Sequence, residues 1–373
     1  MIYLDCAATS LQKPPEVRYA VMRAVGALSS PGRGGYESAM SAAEVLYETR
    51  EYAAHFFHVA EPQRVIFTSS ATHGLNIAIK SLVQPGDRVV ISGYEHNAVT
   101  RPLRALGADL RVASSPLFCP DAAVEAFRQA LPGARAAVCC HVSNVFGFIL
   151  PVERIAALCR EAGVPLILDA SQSAGSLALD FDGLGCAFAA MPGHKGLLGP
   201  QGTGILLCGG EKAVPLLEGG TGSESASEEM PDFLPDRLEA GTHNMPGIAG
   251  LLAGLRWLGR HGEEELLRQE RRMLALLSDA LSDCRDICQF RAKCEETQSG
   301  VLSVRFRDLD CEEAAELLGK SGVSVRAGLH CAPLAHRTAG TIGSGTVRLS
   351  FSPFITEGEA LRAAEILRRV GRS

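Results

Sequence analysis

Residues 186–208 read CAFAAMPGHKGLLGPQGTGILLC. Two apolar runs, 186–190 and 204–208, enclose a segment in which Lys195 follows a histidine, and residues 191–204 hold five glycines and two prolines. Glycine lets a backbone adopt positive φ and approach a ligand closely. A solvated surface lysine needs no such setting. We therefore expect two buried strands joined by a loop that brings Lys195 to a bound group.

Apolar runs like these two continue on both sides of the lysine segment. From about residue 60 to residue 255, short and continuously apolar runs alternate with helix-length segments. Continuous apolar character is typical of strands buried on both faces, and the alternation indicates βαβ units. The sequence therefore predicts an α/β domain with a mostly parallel seven-stranded sheet. The predicted strands are 64–68, 88–92, 109–113, 136–141, 165–169, 186–190 and 204–208.

The pattern changes after Asn244. A long, charged, helix-like stretch at about 247–283 precedes shorter apolar runs such as VLSVRF (301–306) and a last helix. That helix opens with Thr356 and Glu359, which have the spacing of a capping box. This half of the chain is typical of a smaller α+β domain.

The length and charge of the chain limit what it can be. Its 373 residues leave room for about two domains at roughly 150 residues each. We expect a large α/β domain over 15–255 and a small α+β domain formed by 1–14 and 256–373. The formal net charge is −6 and no basic stripe is present, so we expect no nucleic-acid partner.

The sequence also carries no targeting or membrane signal that we recognise. The N-terminus MIYLDCAATS has an acid at position 5 and no basic region, so we expect no signal peptide. No apolar run reaches the ~18–20 residues that a membrane span needs, because Arg256 interrupts GIAGLLAGLRWLG. We expect a cytoplasmic protein.

Twelve cysteines are present, which is a high number for a chain of this kind. Without a secretion signal they are expected to be free thiols, and most lie in apolar stretches that predict small core residues. Cys284, Cys288 and Cys294 match no common zinc spacing, and no histidine pair follows them, so we predict no metal site.

Polar residues follow several of the predicted strands. Asp169 ends the run PLILD, and a buried acid costs several kcal/mol unless it is paired. A protonated pyridine nitrogen is one partner for such an acid, and capping of a helix is the alternative. Ligands of open α/β sheets bind beyond the carboxyl ends of the strands, where Asp169 is placed.

The segment SSATHGLN (69–76) follows the first predicted strand. Hydroxyls and free N–H groups at a helix start form a phosphate-binding cradle, although ordinary capping by Ser70 or Thr72 remains an alternative. His96 and Asn144 follow other strands at the same edge, where a single histidine is more often structural. A lysine, an acid, a phosphate cradle and an aromatic ring together predict a pyridoxal phosphate (PLP) site.

Eight motifs carry a resemblance to a known family. The sequence resembles the class V aminotransferase-like PLP enzymes, specifically the cysteine desulfurase and selenocysteine lyase group. The resemblance covers nearly the whole chain and implies the aspartate aminotransferase-like fold of PLP-dependent transferases, fold type I. The matching motifs are YLDCAATS (3–10), SSATHGLN (69–76), YEHNA (94–98), HVSNVFG (141–147), LDASQSAG (168–175), PGHKGLLGPQGTG (192–204), EAGTHN (239–244) and VRAGLHCAP (325–333).

The resemblance also implies roles in cofactor binding. Lys195 would form the imine with PLP, Asp169 would pair with the ring nitrogen, and His96 would stack over the ring. Asn144 and Gln172 would lie near the phenolic oxygen. The residues expected at the phosphate are Thr72, His73 and His194, together with Thr242 from the neighbouring subunit of a homodimer.

Cys331 is the second nucleophile that the resemblance implies, and it would accept sulfur from the substrate as a persulfide. A thiolate is the reactive form of cysteine, and Arg326 and His330 are near enough in sequence to lower the pKa of Cys331. A buried structural cysteine is the alternative. Arg348 fits a clamp for the substrate carboxylate, with an arginine on a solvated edge strand as its alternative.

These roles give the predicted site. The catalytic residues are Lys195, Cys331 and His96, and the residues that bind the substrate are Arg348, Arg326 and Asn144. Three positions depart from the family pattern. His73 stands where many relatives have glutamate, Pro192 replaces a serine that often holds phosphate, and Leu329 replaces a common histidine.

We therefore predict a cytoplasmic, homodimeric cysteine desulfurase that converts L-cysteine to L-alanine. By the same resemblance, the short segment between Cys331 and Arg348 implies a held cysteine and a dedicated acceptor protein. A selenocysteine lyase acting on L-selenocysteine is a close alternative. A plain aminotransferase, or a scaffold that stores sulfur or binds metal, are weaker ones.

Overall fold

A computed structural model describes residues 1–32, 34–210 and 213–372. Its strands are β1 (Ile2–Tyr3), β2 (Val65–Thr68), β3 (Arg88–Ser92), β4 (Asp109–Ala113), β5 (Ala136–Cys140), β6 (Leu166–Asp169), β7 (Phe188–Pro192), β8 (Gly204–Cys208), β9 (Ile287–Phe290), β10 (Val301–Phe306), β11 (Val323–Ser324), β12 (Arg326–Gly328) and β13 (Thr346–Ser350).

The helices alternate with these strands in the first two thirds of the chain. They are α1 (Pro15–Ala27), α2 (Glu37–Phe56), α3 (Ala71–Leu82), α4 (Asn97–Ala105), α5 (Pro120–Ala130), α6 (Val152–Glu161), α7 (Phe181–Leu184), α8 (Met245–His261), α9 (Glu263–Ala280), α10 (Cys311–Lys320), α11 (Pro333–Thr338) and α12 (Glu357–Val370).

The large sheet has seven strands in the order β2-β8-β7-β6-β5-β3-β4. Strands β4, β3, β5, β6 and β7 run parallel to one another, and β8 runs antiparallel to both β7 and β2. The prediction of a mostly parallel seven-stranded sheet is confirmed. Strand β7 begins two residues later than predicted and reaches Pro192, because its antiparallel partner β8 pairs with it from Phe188 to Pro192.

Both faces of this sheet are covered. Successive residues of a strand point to opposite faces. Ile167 and Leu168 of β6 accordingly belong to different hydrophobic clusters, one on each side. This double burial explains why the predicted strands are apolar without alternation.

The sheet topology brings several strand ends to one edge. Strands β3, β5, β6 and β7 all end there, with Cys140 beside Asp169 and Asp169 beside Ala190. Strand β2 is antiparallel to β8, as β7 is, so β2 also ends at this edge. The strands of the large sheet that were expected to present a site residue therefore present it to the same region.

A second sheet follows in the chain. Strands β12, β13, β10 and β9 form a four-stranded antiparallel sheet, and β1 pairs with β11. Helices α9, α10 and α12 contribute to its hydrophobic cluster. The capping box of α12 is present, with Thr356 and Glu359 bonded in both directions. The division of the chain into two domains stays a prediction, and α8 crosses the expected boundary at residue 255.

The helix-like stretch at 247–283 is two helices and not one. Helix α8 ends at His261 and α9 begins at Glu263, because Gly262 between them has φ of +79°. A left-handed residue cannot continue an α-helix. Among residues 1–32, 34–210 and 213–372, no helix has the length and hydropathy to span a membrane.

Candidate active site

A pocket opens at the edge where the central strands end. It collects side chains from the ends of β5, β6 and β7 and from the starts of α3 and α4. The predicted site residues that line it are Thr72, His96, Asn144, Asp169, Gln172, His194 and Lys195. The structure thus brings most of the predicted cofactor-binding residues together.

Lys195 is the cationic group of this pocket. Burial lowers the pKa of its amine to about 8, while the negative charge of Asp169 acts in the opposite direction. Arg348 and Arg326 act in the same direction as burial, and the net pKa is about 8. A substantial part of the amine is therefore neutral, and so nucleophilic, near pH 8.

The glycines around Lys195 allow two loops to cross at very short range. A Cβ on Gly196 would lie 2.3 Å from the carbonyl oxygen of Ala174, and one on Gly175 would lie 2.4 Å from that of Gly196. Gly175 also has φ of +88°. The loop after β6 and the loop of Lys195 are packed backbone against backbone, which explains the glycine at position 196.

Asp169 is the last residue of β6 and is 4% exposed. Its Oδ1 accepts a hydrogen bond from the Ser171 amide at 2.9 Å. In the described part of the chain, no protein donor contacts Oδ2. One oxygen therefore bonds within a local turn and caps no helix, because the next helix, α7, begins at Phe181, and the other oxygen is open to a partner in the pocket.

His96 is the N-cap of α4, and its Nδ1 accepts the Ala98 amide proton at 3.0 Å. Burial lowers the pKa of His96 to about 4, so the ring is neutral at pH 7. A neutral ring whose Nδ1 is an acceptor carries its proton on Nε2. His96 can therefore donate a hydrogen bond from Nε2 toward a ligand.

Helix α3 begins at the pocket. The Ser70 hydroxyl oxygen accepts the His73 amide proton at 3.2 Å. The amides of the helical residues before His73 have no partner inside the helix, as at the start of any α-helix. Thr72 borders both this pocket and a neighbouring cavity. His73 and Thr242 line that neighbouring cavity and not the Lys195 pocket.

His194 and the two amide side chains are fixed by other contacts. The Nδ1 of His194 lies 3.0 Å from the Thr9 hydroxyl, and burial lowers the pKa of His194 to about 4. Gln172 donates from Nε2 to the Ala7 carbonyl at 2.9 Å. Asn144 donates from Nδ2 to the His330 carbonyl at 2.9 Å, which ties the pocket wall to the cysteine segment.

Cys331 is exposed, so it is not the buried structural cysteine of the alternative reading. The Arg326 guanidinium lies 3.7 Å from its sulfur. The expectation that His330 adds positive charge is wrong. The His330 side chain is buried, and burial lowers its pKa to about 3, so the ring is neutral.

Arg348 lies at the boundary between the pocket and the second sheet. It is 1% exposed, so it does not lie on a solvated face. Its Nη2 donates to Asp5 Oδ1 at 2.7 Å and its Nη1 donates to the Asn144 carbonyl at 3.0 Å. Its Nε is buried without a partner in the described residues.

Two acids near the site were not singled out from the sequence. Asp5 pairs with Arg348, which lies 343 positions later in the sequence, and a sequence-spacing rule cannot predict a contact between residues so far apart. Glu95 lies behind Asp169, where Ser92 Oγ donates to its Oε1 at 2.5 Å and the Cys140 amide at 2.7 Å. Burial, together with the negative charge of Asp169, raises the pKa of Glu95 to about 8.

The remaining cysteines do not extend the site. All twelve are free. In the ranges that the structure describes, no group of three or more His, Cys, Asp or Glu side chains is arranged to hold a metal ion.

Comparison with known proteins defines the class. The chain matches the aminotransferase class-V family over residues 2–362 and belongs to it. It is similar to a solved cysteine desulfurase of Thermococcus onnurineus, with a TM-score of 0.90, 27% identity and coverage of 100% of this chain and 94% of that one. The expected PLP-transferase fold type I is confirmed.

Curated relatives of this chain within the family are named cysteine desulfurases. A probable cysteine desulfurase of Methanothermobacter thermautotrophicus is 31% identical over 99% of this chain and 94% of its own length. The cysteine desulfurase CsdA of Escherichia coli is 31% identical over 96% of this chain and 91% of its own length. A solved CsdA structure matches with a TM-score of 0.87 at 27% identity, covering 99% of this chain and 94% of that one. Enzymes of this family use PLP.

Proposed function

We propose that this chain is a PLP-dependent cysteine desulfurase that converts L-cysteine to L-alanine and carries the sulfur as a persulfide on Cys331. One observation supports this above the others. The segment of Cys331 is bonded to the wall of the Lys195 pocket, through the Asn97 amide and the Asn144 side chain. The segment that carries the thiol is thereby tied to the pocket that holds the amine.

The residues present fit the cofactor. Lys195 has a buried amine of lowered pKa for the imine, and Asp169 has one carboxylate oxygen without a protein donor for the ring nitrogen. The start of α3 with Thr72 suits a phosphate group, and His194 lines the same pocket. His96 lines this pocket and would contact the ring. When bound, PLP would withdraw electrons from the Cα and Cβ of the substrate.

The side chains divide the chemistry between them. Lys195 takes the proton from Cα of the substrate. The Cys331 thiolate then attacks the substrate sulfur, so that an S–S bond forms while the Cβ–S bond breaks and its electron pair stays on carbon. Uptake of a proton at Cβ and return of the proton from Lys195 to Cα then give alanine. His96, with its proton on Nε2, donates to the substrate rather than accepts from it.

Three finer properties belong to the same proposal. The active sites are shared in a homodimer, in which Thr242, which does not line the Lys195 pocket of its own chain, reaches the phosphate site of the neighbouring subunit. The persulfide passes to an acceptor protein that reaches the exposed Cys331. The protein works in the cytoplasm, in keeping with twelve free thiols.

Two substitutions with a matched control test the proposal. We expect Cys331→Ser to lose sulfur transfer to an acceptor thiol, while Cys119→Ser, at another exposed cysteine, keeps it. Lys195→Ala should lose the yellow colour of bound PLP and its trapping by borohydride. Transfer by Cys331→Ser at the wild-type rate would show that the assignment is wrong.

The same residues could also catalyse a selenocysteine lyase reaction, because a selenol leaves carbon more readily than a thiol. Comparison of kcat/KM for L-cysteine and L-selenocysteine, with alanine and the released sulfide or selenide both measured, separates the two activities. A large preference for L-selenocysteine would replace the desulfurase proposal with the lyase.

A further inference from the structure

Two neighbouring residues of the cysteine segment have an unfavourable backbone. His330 has φ of 50° and Cys331 has φ of 54°, so both lie in the left-handed region without being glycine. Such residues persist only where the surroundings hold them, and they concentrate at functional sites. The question is which groups hold this pair.

Hydrogen bonds of the main chain hold His330 and Cys331 in part. The Asn97 amide donates to the Cys331 carbonyl at 2.7 Å, and the Ala332 amide donates to the Leu329 carbonyl at 2.8 Å. Asn144 donates to the His330 carbonyl at 2.9 Å. The peptide groups on both sides of the thiol are therefore fixed to neighbouring elements.

The His330 side chain enters a second set of contacts below the segment. Its Nε2 lies 3.2 Å from the Arg326 carbonyl, and its Nδ1 lies 3.4 Å from Nε2 of His336. The Nδ1 of His336 lies 2.7 Å from the Thr341 hydroxyl. His336 is 0% exposed and Thr341 is 1% exposed, so water does not replace these contacts.

The hydrogen bonds can run in only one direction when both rings are neutral. The Arg326 carbonyl can only accept, so His330 carries its proton on Nε2 and accepts at Nδ1. His336 must then donate from Nε2 and accept at Nδ1, where the Thr341 hydroxyl donates. Burial lowers the pKa of His330 to about 3 and of His336 to about 4, in agreement with neutral rings.

We propose that Thr341, His336 and His330 are positioning residues that hold the Cys331 thiol and the Arg326 guanidinium in the geometry for sulfur transfer. The hydrogen-bond chain ends on the Arg326 backbone, and the Arg326 side chain lies 3.7 Å from the Cys331 sulfur. The inference rests on the proposed function of Cys331, and it concerns this half of the reaction and not the Lys195 half.

Thr341 provides a nearly isosteric test. Thr341→Val removes the hydroxyl that starts the chain and keeps the side-chain volume, whereas Thr341→Ser restores the hydroxyl. We expect Thr341→Val to slow persulfide formation on Cys331 in a single turnover by on the order of tenfold or more. Thr341→Ser should recover most of that loss, and His336→Asn should repeat the effect of Thr341→Val.

Two further readouts separate positioning from a general structural effect. Exchange of the Cα proton of L-alanine with D₂O reports on the Lys195 half, and we expect Thr341→Val to leave it within about twofold of wild type. The rate of Cys331 alkylation by iodoacetamide, followed on its peptide by mass spectrometry, should change in Thr341→Val and not in Thr341→Ser.

Each result has one meaning. Equal persulfide rates in wild type and Thr341→Val overturn the inference, as does a parallel fall of both half-reactions. Absence of a Cys331 persulfide in the wild type would instead contradict the proposed function itself. Rescue by serine together with intact alanine exchange supports the positioning chain.

Discussion

The amine of Lys195 is controlled by the charge beside it. Burial and the two arginines favour the neutral form, and Asp169 favours the protonated form. Removal of that carboxylate should therefore lower the pKa of Lys195 below about 8.

The pH dependence of PLP capture by the apoprotein measures this effect, because only the neutral amine forms an imine. We expect the capture rate of the wild type to rise with pH through a midpoint of about 8, and that of Asp169→Asn to rise at lower pH. Asp121→Asn, on the surface, is the control. A midpoint for Asp169→Asn at or above that of the wild type contradicts the electrostatic account.

Glu95 makes the stability of the fold depend on pH. Its pKa is about 8 in the folded protein against an ordinary value of 4.5, so the folded state binds the proton more tightly. Its contribution to stability is complete below about pH 4.5 and is lost as the pH rises through about 8.

Glu95→Gln should remove this dependence while keeping an acceptor for Ser92 and the Cys140 amide. Between about pH 5 and pH 9, we expect the free energy of unfolding of the wild type to fall by a few kcal/mol relative to that of the variant. Urea unfolding at several pH values measures it, with Glu125→Gln as a surface control. Parallel pH curves for Glu95→Gln and wild type would refute the assignment of a neutral Glu95.

At the scale of elements, the sequence was most informative where burial is complete. Strands β2, β3 and β5 to β8 were predicted because each is largely apolar and buried on both faces, whereas β4, at the edge of the sheet, is mostly exposed. The break at Gly262 was missed because the residues around it keep a helical pattern, and only its φ of +79° ends α8. The shift in β7 depends on its pairing with β8, which a single strand does not encode.

The crossing of the two glycine loops gives a prediction at this scale. A Cβ on Gly196 meets a backbone oxygen, which cannot rotate away, so Gly196→Ala must displace one loop. We expect a loss of about 1–3 kcal/mol in unfolding free energy. The displaced Lys195 should also capture PLP more slowly.

The matched control is Gly358→Ala in α12, where an added Cβ meets nothing within 4 Å. Denaturant unfolding and PLP capture are measured on both variants. If Gly196→Ala were as stable and as quick to capture PLP as Gly358→Ala, the close approach of the two loops would not be what the glycines serve.

At the scale of the whole molecule, the site joins the two sheets. Arg348 of β13 bonds to Asp5 near the N-terminus and to Asn144 after β5. The residues on each strand end could be predicted one by one, because each follows an apolar run. The contacts among them could not, because Asp5 and the chain from Thr341 to Arg326 depend on burial that arises only in the folded molecule.

Asp5→Asn tests this joint. It leaves the Arg348 charge buried without its ionic partner, and loss of one member of a buried pair costs about 3 kcal/mol or more. Asp279→Asn, in an exposed pair with Arg291, should change the free energy of unfolding much less. Similar losses in the two variants would mean that the Asp5–Arg348 pair does not tie the molecule together.

The central claim is that one pocket and one thiol act in sequence within this fold. Its most direct test is a single turnover of PLP-loaded protein with limiting L-cysteine, in which the amount of alanine is quantified and the mass of the Cys331 peptide is measured by mass spectrometry. We predict that each alanine formed is matched by one sulfur atom added to Cys331. Alanine without sulfur on that peptide, or sulfur on another cysteine in its place, would contradict the account.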